Sequence, residues 1–86
     1  MNESKRKKLD RMIQDYADRE YPGQGVKAEI VAIETDYAED NETITVSFYR
    51  EDKPEWGFNL KVYAWRKDKP LFILGMLAEA LMNHQG

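Results

Sequence analysis

Cysteine is absent from the chain, which excludes a disulfide framework and a thiolate metal site alike. Histidine occurs once, as His84 near the C-terminal end. Nucleophilic catalysis needs a Ser, Cys or Thr beside a base that a third group orients, and one imidazole in a fraying tail gives it no footing. No apolar run approaches the roughly 20 residues of a membrane-spanning helix. The charged N-terminus has no apolar segment of the kind a secretory signal carries. These absences predict a non-enzymatic, cytoplasmic chain with no metal, no cofactor and no membrane partner. Proline and glycine are scarce, at three and five residues, and act as punctuation rather than as linkers.

What is present is the composition of one folded domain spanning residues 1–86: 42% apolar, 12% aromatic, net charge −3. Residues 1–4 are open to fraying and 84–86 read as a tail. The charge is segregated, with nine acids against Arg50 and Lys53 over residues 29–55 and a slight cationic excess on either side.

The stretch at 70–83, PLFILGMLAEALMN, is apolar almost all the way round a helix. Ile73, Leu74, Leu77, Ala80 and Leu81 centre one face; Leu71, Ala78 and Met82 lie on one shoulder, Phe72 and Met76 on the other. A helix on a single core needs an apolar stripe only somewhat wider than about 100°. The surplus at Leu71, Phe72, Met76 and Met82 predicts self-association, as a homodimer or within a hetero-complex. Asp68 is the expected N-cap, with Pro70 in the first turn.

A first helix is predicted from about residues 2–4 to 19, on the spacing of Leu9, Met12, Ile13 and Tyr16, with Asn2 or Ser4 as cap. Pro22, Gly23 and Gly25 then turn the chain. Strands are predicted at 26–35, 43–50 and 56–65. With 51–55 as a hairpin loop, the register pairs Phe48 with Phe58, Val46 with Leu60 and Ile44 with Val62, so every apolar pair shares a face. It also sets Tyr49 across from Gly57, where a ring can cover a missing side chain. The first strand is ambiguous, since Val26, Ala28, Ile30 and Ala32 compete with Val31 and Ile33. The former set is placed inward because Lys27 and Glu29 then point out. The expected architecture is α+β: α-β-β-β-α, a three-stranded antiparallel meander packed against two helices.

That element order is shared with the double-stranded-RNA-binding domain. In that family the second helix starts with lysines aimed at phosphates, whereas here Lys67 and Lys69 precede Pro70 and the helix begins Leu71-Phe72-Ile73-Leu74. The resemblance ends at element order, and no family is assigned.

Two surfaces carry the functional reading. The outward sheet face presents Tyr49, Lys61, Tyr63 and Trp65, with Asn59, residue types enriched as anchors of protein interfaces and also suited to stacking bases. The run Lys5, Arg6, Lys7, Lys8, followed by Arg11, opposes the positive end of the first helix dipole, which points to an anionic partner. Because phosphate neutralisation supplies most non-specific nucleic-acid affinity, the acidic balance favours a protein partner, with nucleic acid as the alternative. The acids Glu34, Asp36, Glu39, Asp40 and Glu42 read as a solvated loop, without the glycine or ligand spacing of a calcium site. Small acidic α+β chains of this kind are typical of accessory regulators and inhibitors, including those of phages and other mobile elements, an analogy rather than a physical deduction.

Overall fold

Leu9, Ile13 and Ala17 recur every four residues and form the buried stripe of the first helix, α1 (Glu3–Glu20). Asn2 caps it: its Oδ1 accepts the Lys5 N–H at 2.8 Å, satisfying one of the amides that a helix start leaves free. Three antiparallel strands follow, β1 (Val26–Asp36), β2 (Asn41–Arg50) and β3 (Gly57–Trp65), in the sheet order β1-β2-β3. A second helix, α2 (Pro70–Gln85), closes the α-β-β-β-α order that the periodicities predict. The computed structural model describes residues 1–85.

Between β2 and β3 the register is the one deduced from alternation, with Phe48 opposite Phe58, Val46 opposite Leu60, Ile44 opposite Val62 and Tyr49 opposite Gly57. The two Phe rings stack with centroids 5.1 Å apart. This row, with Val26, Ala28 and Ile30 of β1, the α1 stripe and Ile73, Leu77 and Leu81 of α2, makes one core on one side of the sheet. Both helices therefore lie on that side, and the other face of the sheet has no layer over it. Gly57 sits where β3 enters the ladder, with φ 153°, and a Cβ there would stand 2.8 Å from the Phe48 carbonyl oxygen. Gly57→Ala is expected to cost about 1–3 kcal/mol through backbone strain, read as a lower urea midpoint at unchanged slope. A wild-type midpoint would show that the entry to β3 has another geometry.

β1 departs from the expected alternation. Val26, Ala28 and Ile30 face the core, but Ile30 pairs with Val46 and the next paired residue is Ala32, opposite Thr45. Val31 is the extra residue of a bulge, and one extra residue reverses the phase of everything after it. Ala32 consequently moves to the outer face, while Ile33, opposite Ile44, packs against the core. The expectation of Ala32 inward and Ile33 outward is thus corrected. The strand uses both of its apolar sets, one on each side of the bulge.

Both terminal segments left loose by the sequence reading are engaged as far as the described residues go, Gly86 of the expected tail lying outside them. The α2 helix runs on to Gln85, and the His84 ring stacks on Phe58 at 4.2 Å, so the expected tail at 84 is helical through the described residues. Gln85 donates from Nε2 to the Tyr21 hydroxyl at the end of α1. At the opposite end the Met1 amino group lies 3.2 Å from Glu42 Oε1, and Glu42 is buried at the start of β2 rather than solvated in the acidic loop. Asp68 is not the cap of α2. The Lys69 carbonyl accepts the first helical amides, and Asp68 Oδ2 accepts the Trp65 N–H at 2.8 Å.

Each helix runs opposite to the strand beside it, α1 against β1 and α2 against β3. Because β1 and β3 share a direction, the helices are parallel and their N-terminal ends lie together. Lys5 Nζ accordingly donates to the Arg66 carbonyl at 3.0 Å.

Candidate interaction surface on the open face of the sheet

Alternation along β3 sends Phe58, Leu60, Val62 and Ala64 to the core and Asn59, Lys61, Tyr63 and Trp65 to the opposite side. Tyr63 is 71% exposed and Trp65 52%. Across from them on β2 stand short polar residues, Thr43 opposite Tyr63, Thr45 opposite Lys61 and Asn41 opposite Trp65. The rings therefore rise above a shallow floor, and a depression lined by Asn41, Thr43, Tyr63 and Trp65 opens between them. Val31, pushed out by the bulge, adds an aliphatic side chain that is 49% exposed. Tyr49 differs from the other three expected contact residues: it is half-buried, and its Cβ lies beside the bare Cα of Gly57.

The α2 residues expected to associate are divided. Leu71, Phe72 and Met82 are exposed, at 72%, 60% and 70%, whereas Met76 is half-buried and packs against the core. At helical spacing Gln85 shares a flank with Leu74 and Ala78, and its bond to Tyr21 turns that flank towards α1. The opposite flank, Phe72 and Met76, faces away from α1 on the free side of β3.

The basic run of α1 is spread over several faces. Arg6 Nη2 donates to the Ile30 carbonyl at 3.3 Å, and Lys7 pairs with Glu3 at 3.2 Å. Arg11 is exposed farther along the helix. Lys5 and Lys8 alone reach the end of the molecule where Arg66, Lys67 and Lys69 also line a shallow depression. Arg66 is partly neutralised there, 3.1 Å from Asp40 Oδ1 and 4.7 Å over the Tyr37 ring. This grouping escaped the sequence reading. It was legible from strand parity: three antiparallel strands return the second helix parallel to the first, which brings residues 5–8 and 66–69 to one end.

A second feature was also missed, the polar stripe Arg6, Asp10 and Gln14 beside the buried stripe of α1. These side chains bond the backbone of β1, and their four-residue spacing next to Leu9 and Ile13 was the available signal. Away from both surfaces, Arg50 donates to Asp52 at 3.2 and 2.9 Å in the β2–β3 loop, and these bonds hold the Asp52 carboxyl below its ordinary range. No group of three or more metal-ligating side chains gathers among the described residues, and no helix in them is long and apolar enough to cross a membrane. In comparison with known proteins, no family model matches the chain, and neither a curated protein nor a solved structure matches it.

Proposed function

We propose that the chain is a non-enzymatic protein-binding module, a regulator or inhibitor that occupies a partner's surface through the open face of its sheet and self-associates through α2. The observation that supports this reading is the pair Tyr63 and Trp65, more than half exposed on a sheet face without a covering layer. Tyr and Trp are among the residue types enriched at protein interfaces. Lys61 adds a cation beside the rings, and Tyr49 closes the row from its half-buried position. A cytoplasmic location belongs to the same reading.

A second reading has its own observation. Lys5, Lys8, Lys67 and Lys69 stand together where the two helix N-termini meet, and both helix dipoles add positive potential at that end. Nucleic-acid phosphates are the chemistry this end would attract. That end adjoins Trp65 through Arg66, but the acidic hairpin loop shares it through Asp40, 3.1 Å from Arg66. Titration of labelled single- and double-stranded DNA and RNA at low salt separates the two readings. The protein-binding reading predicts no affinity tighter than about 10 μM. Tight binding that weakens steeply with salt and vanishes in Lys5→Ala/Lys8→Ala would replace it with the second.

A further inference from the structure

The two edges of the sheet are treated differently. On β1, Asp10 Oδ1 accepts the Ile30 N–H at 3.1 Å, Gln14 Oε1 accepts the Ala28 N–H at 3.0 Å, and Gln14 Nε2 donates to the Val26 carbonyl at 3.0 Å. Side chains of α1 thus close that edge, and the Val31 bulge interrupts it further, both devices that keep a strand from pairing with another chain.

β3 has neither. In an antiparallel strand the N–H and C=O of one residue point to the same side, and the side alternates along the chain. Val26, Ala28 and Ile30 use theirs off the sheet, so Lys27 and Glu29 bond to Tyr49 and Ser47 of β2. Phe48 and Val46 must then bond to Phe58 and Leu60. The N–H and C=O groups of Asn59, Lys61 and Tyr63 consequently point off the far edge. Among the described residues no side chain meets them. Trp65, farther along, is closed by Asp68, which takes its N–H through Oδ2 and its carbonyl through the Asp68 amide.

We propose that β3 is a strand-pairing edge and that it takes β3 of a second copy, antiparallel about a two-fold axis at Leu60. The edge is self-complementary in that register. Asn59 faces the partner's Lys61, and Gly57 faces the partner's Tyr63, whose ring can lie over the missing side chain. On the core side Leu60 meets its own copy and Phe58 meets the partner's Val62, all apolar. A register centred on Lys61 would set two lysines directly opposite, which is destabilising. One centred on Val62 would draw on Trp65, whose backbone groups are already occupied. The Phe72–Met76 flank of α2 faces the same side, so apolar surface continues beyond the strand and suits a folded copy better than an isolated extended peptide.

The proposal rests on the self-association in the reading above but moves its main contact from α2 to the β3 edge, with the Phe72–Met76 flank beside it. It can fail while the sheet-face reading stands, because its test uses the purified protein alone. Amide exchange by NMR and mass by sedimentation are measured together on the full chain, at about 10 μM and about 1 mM. The expected result is a mass twice the 10.1 kDa of one chain at the higher concentration. The amides of Asn59, Lys61 and Tyr63 should then slow by at least about tenfold as the dimer fills. Lys61→Pro removes one outward N–H without touching the β2 ladder and should return the mass to that of a monomer. A monomer throughout with these three amides unprotected would overturn the proposal. So would a dimer in which they stay unprotected, since it must use another surface. If Lys61→Pro does not fold, exchange in the unmodified chain alone decides.

Discussion

Phe48→Ala is expected to lower the unfolding free energy by about 3–5 kcal/mol, the usual cost of truncating a buried phenylalanine. Phe48 is fully buried, stacks on Phe58 and lies towards the end of the middle strand, within the core that the sheet shares with both helices. A domain this small has a total stability of about 5–10 kcal/mol, so the variant should be partly unfolded near 37 °C. Leu77→Ala, which removes the central buried residue of α2, belongs to the same class at about 2–5 kcal/mol. Lys8→Ala, on the exposed side of α1, should stay within about 0.5 kcal/mol of wild type. Chemical denaturation of the three variants checks the set. Equal and small effects would mean that the inward faces have been misassigned.

Gln14→Ala is the second large effect. Its amide bridges the Ala28 N–H and the Val26 carbonyl along the edge of β1, and removing it leaves both half-buried groups to whatever water can reach them. An unsatisfied buried group costs about 1–3 kcal/mol, and the partial exposure of these two keeps the combined loss in that same range. For a domain of this size the melting temperature should fall by about 4–8 °C per kcal/mol. The variant should also aggregate more readily on heating, because the clamp hides a strand edge. A melting temperature within a degree or so of wild type would show that water replaces the glutamine without loss.

The sequence made some of this legible and hid the rest for identifiable reasons. The β2–β3 pairing was readable because each strand alternates strictly, which fixes the face, and a hairpin loop over 51–55 sets the register that the Phe48–Phe58 stack realises. β1 was not, because both of its faces carry apolar residues and a bulge leaves no mark in composition. Val31 and Ile33 looked like surplus until the phase change after Ile30 gave Ile33 a place in the core. His84 was misread for a different reason. Its neighbours in the chain offer it no packing, and the ring it stacks on, Phe58, is distant in sequence and is brought near only when α2 lies along β3. The basic run divides the same way: the Glu3–Lys7 pair follows from i,i+4 spacing, whereas only the fold brings Arg6 to the Ile30 carbonyl.

The exposed shoulders of α2 carry a related lesson. An apolar residue count overstates free surface, since Met76 is half-spent on the core while Leu71, Phe72 and Met82 are not. What remained out of reach of the sequence was the contrast between the sheet edges, because hydrogen bonds from Asp10 and Gln14 to a strand some 12 to 20 residues away have no signature other than helical spacing.

The most direct test of the account compares two double variants against a protein partner captured from a lysate of the source cells, by calorimetric titration under one set of conditions. Tyr63→Ala/Trp65→Ala removes the exposed rings of the open sheet face, and Lys5→Ala/Lys8→Ala removes two of the cations at the helix ends. Interface anchors of these aromatic types commonly contribute about 2 kcal/mol or more, so the first variant should bind at least about 30-fold more weakly. The second should bind within about threefold of wild type. Unchanged affinity after loss of both rings, or a collapse of binding after loss of the two lysines, would contradict the placement of function on the sheet face.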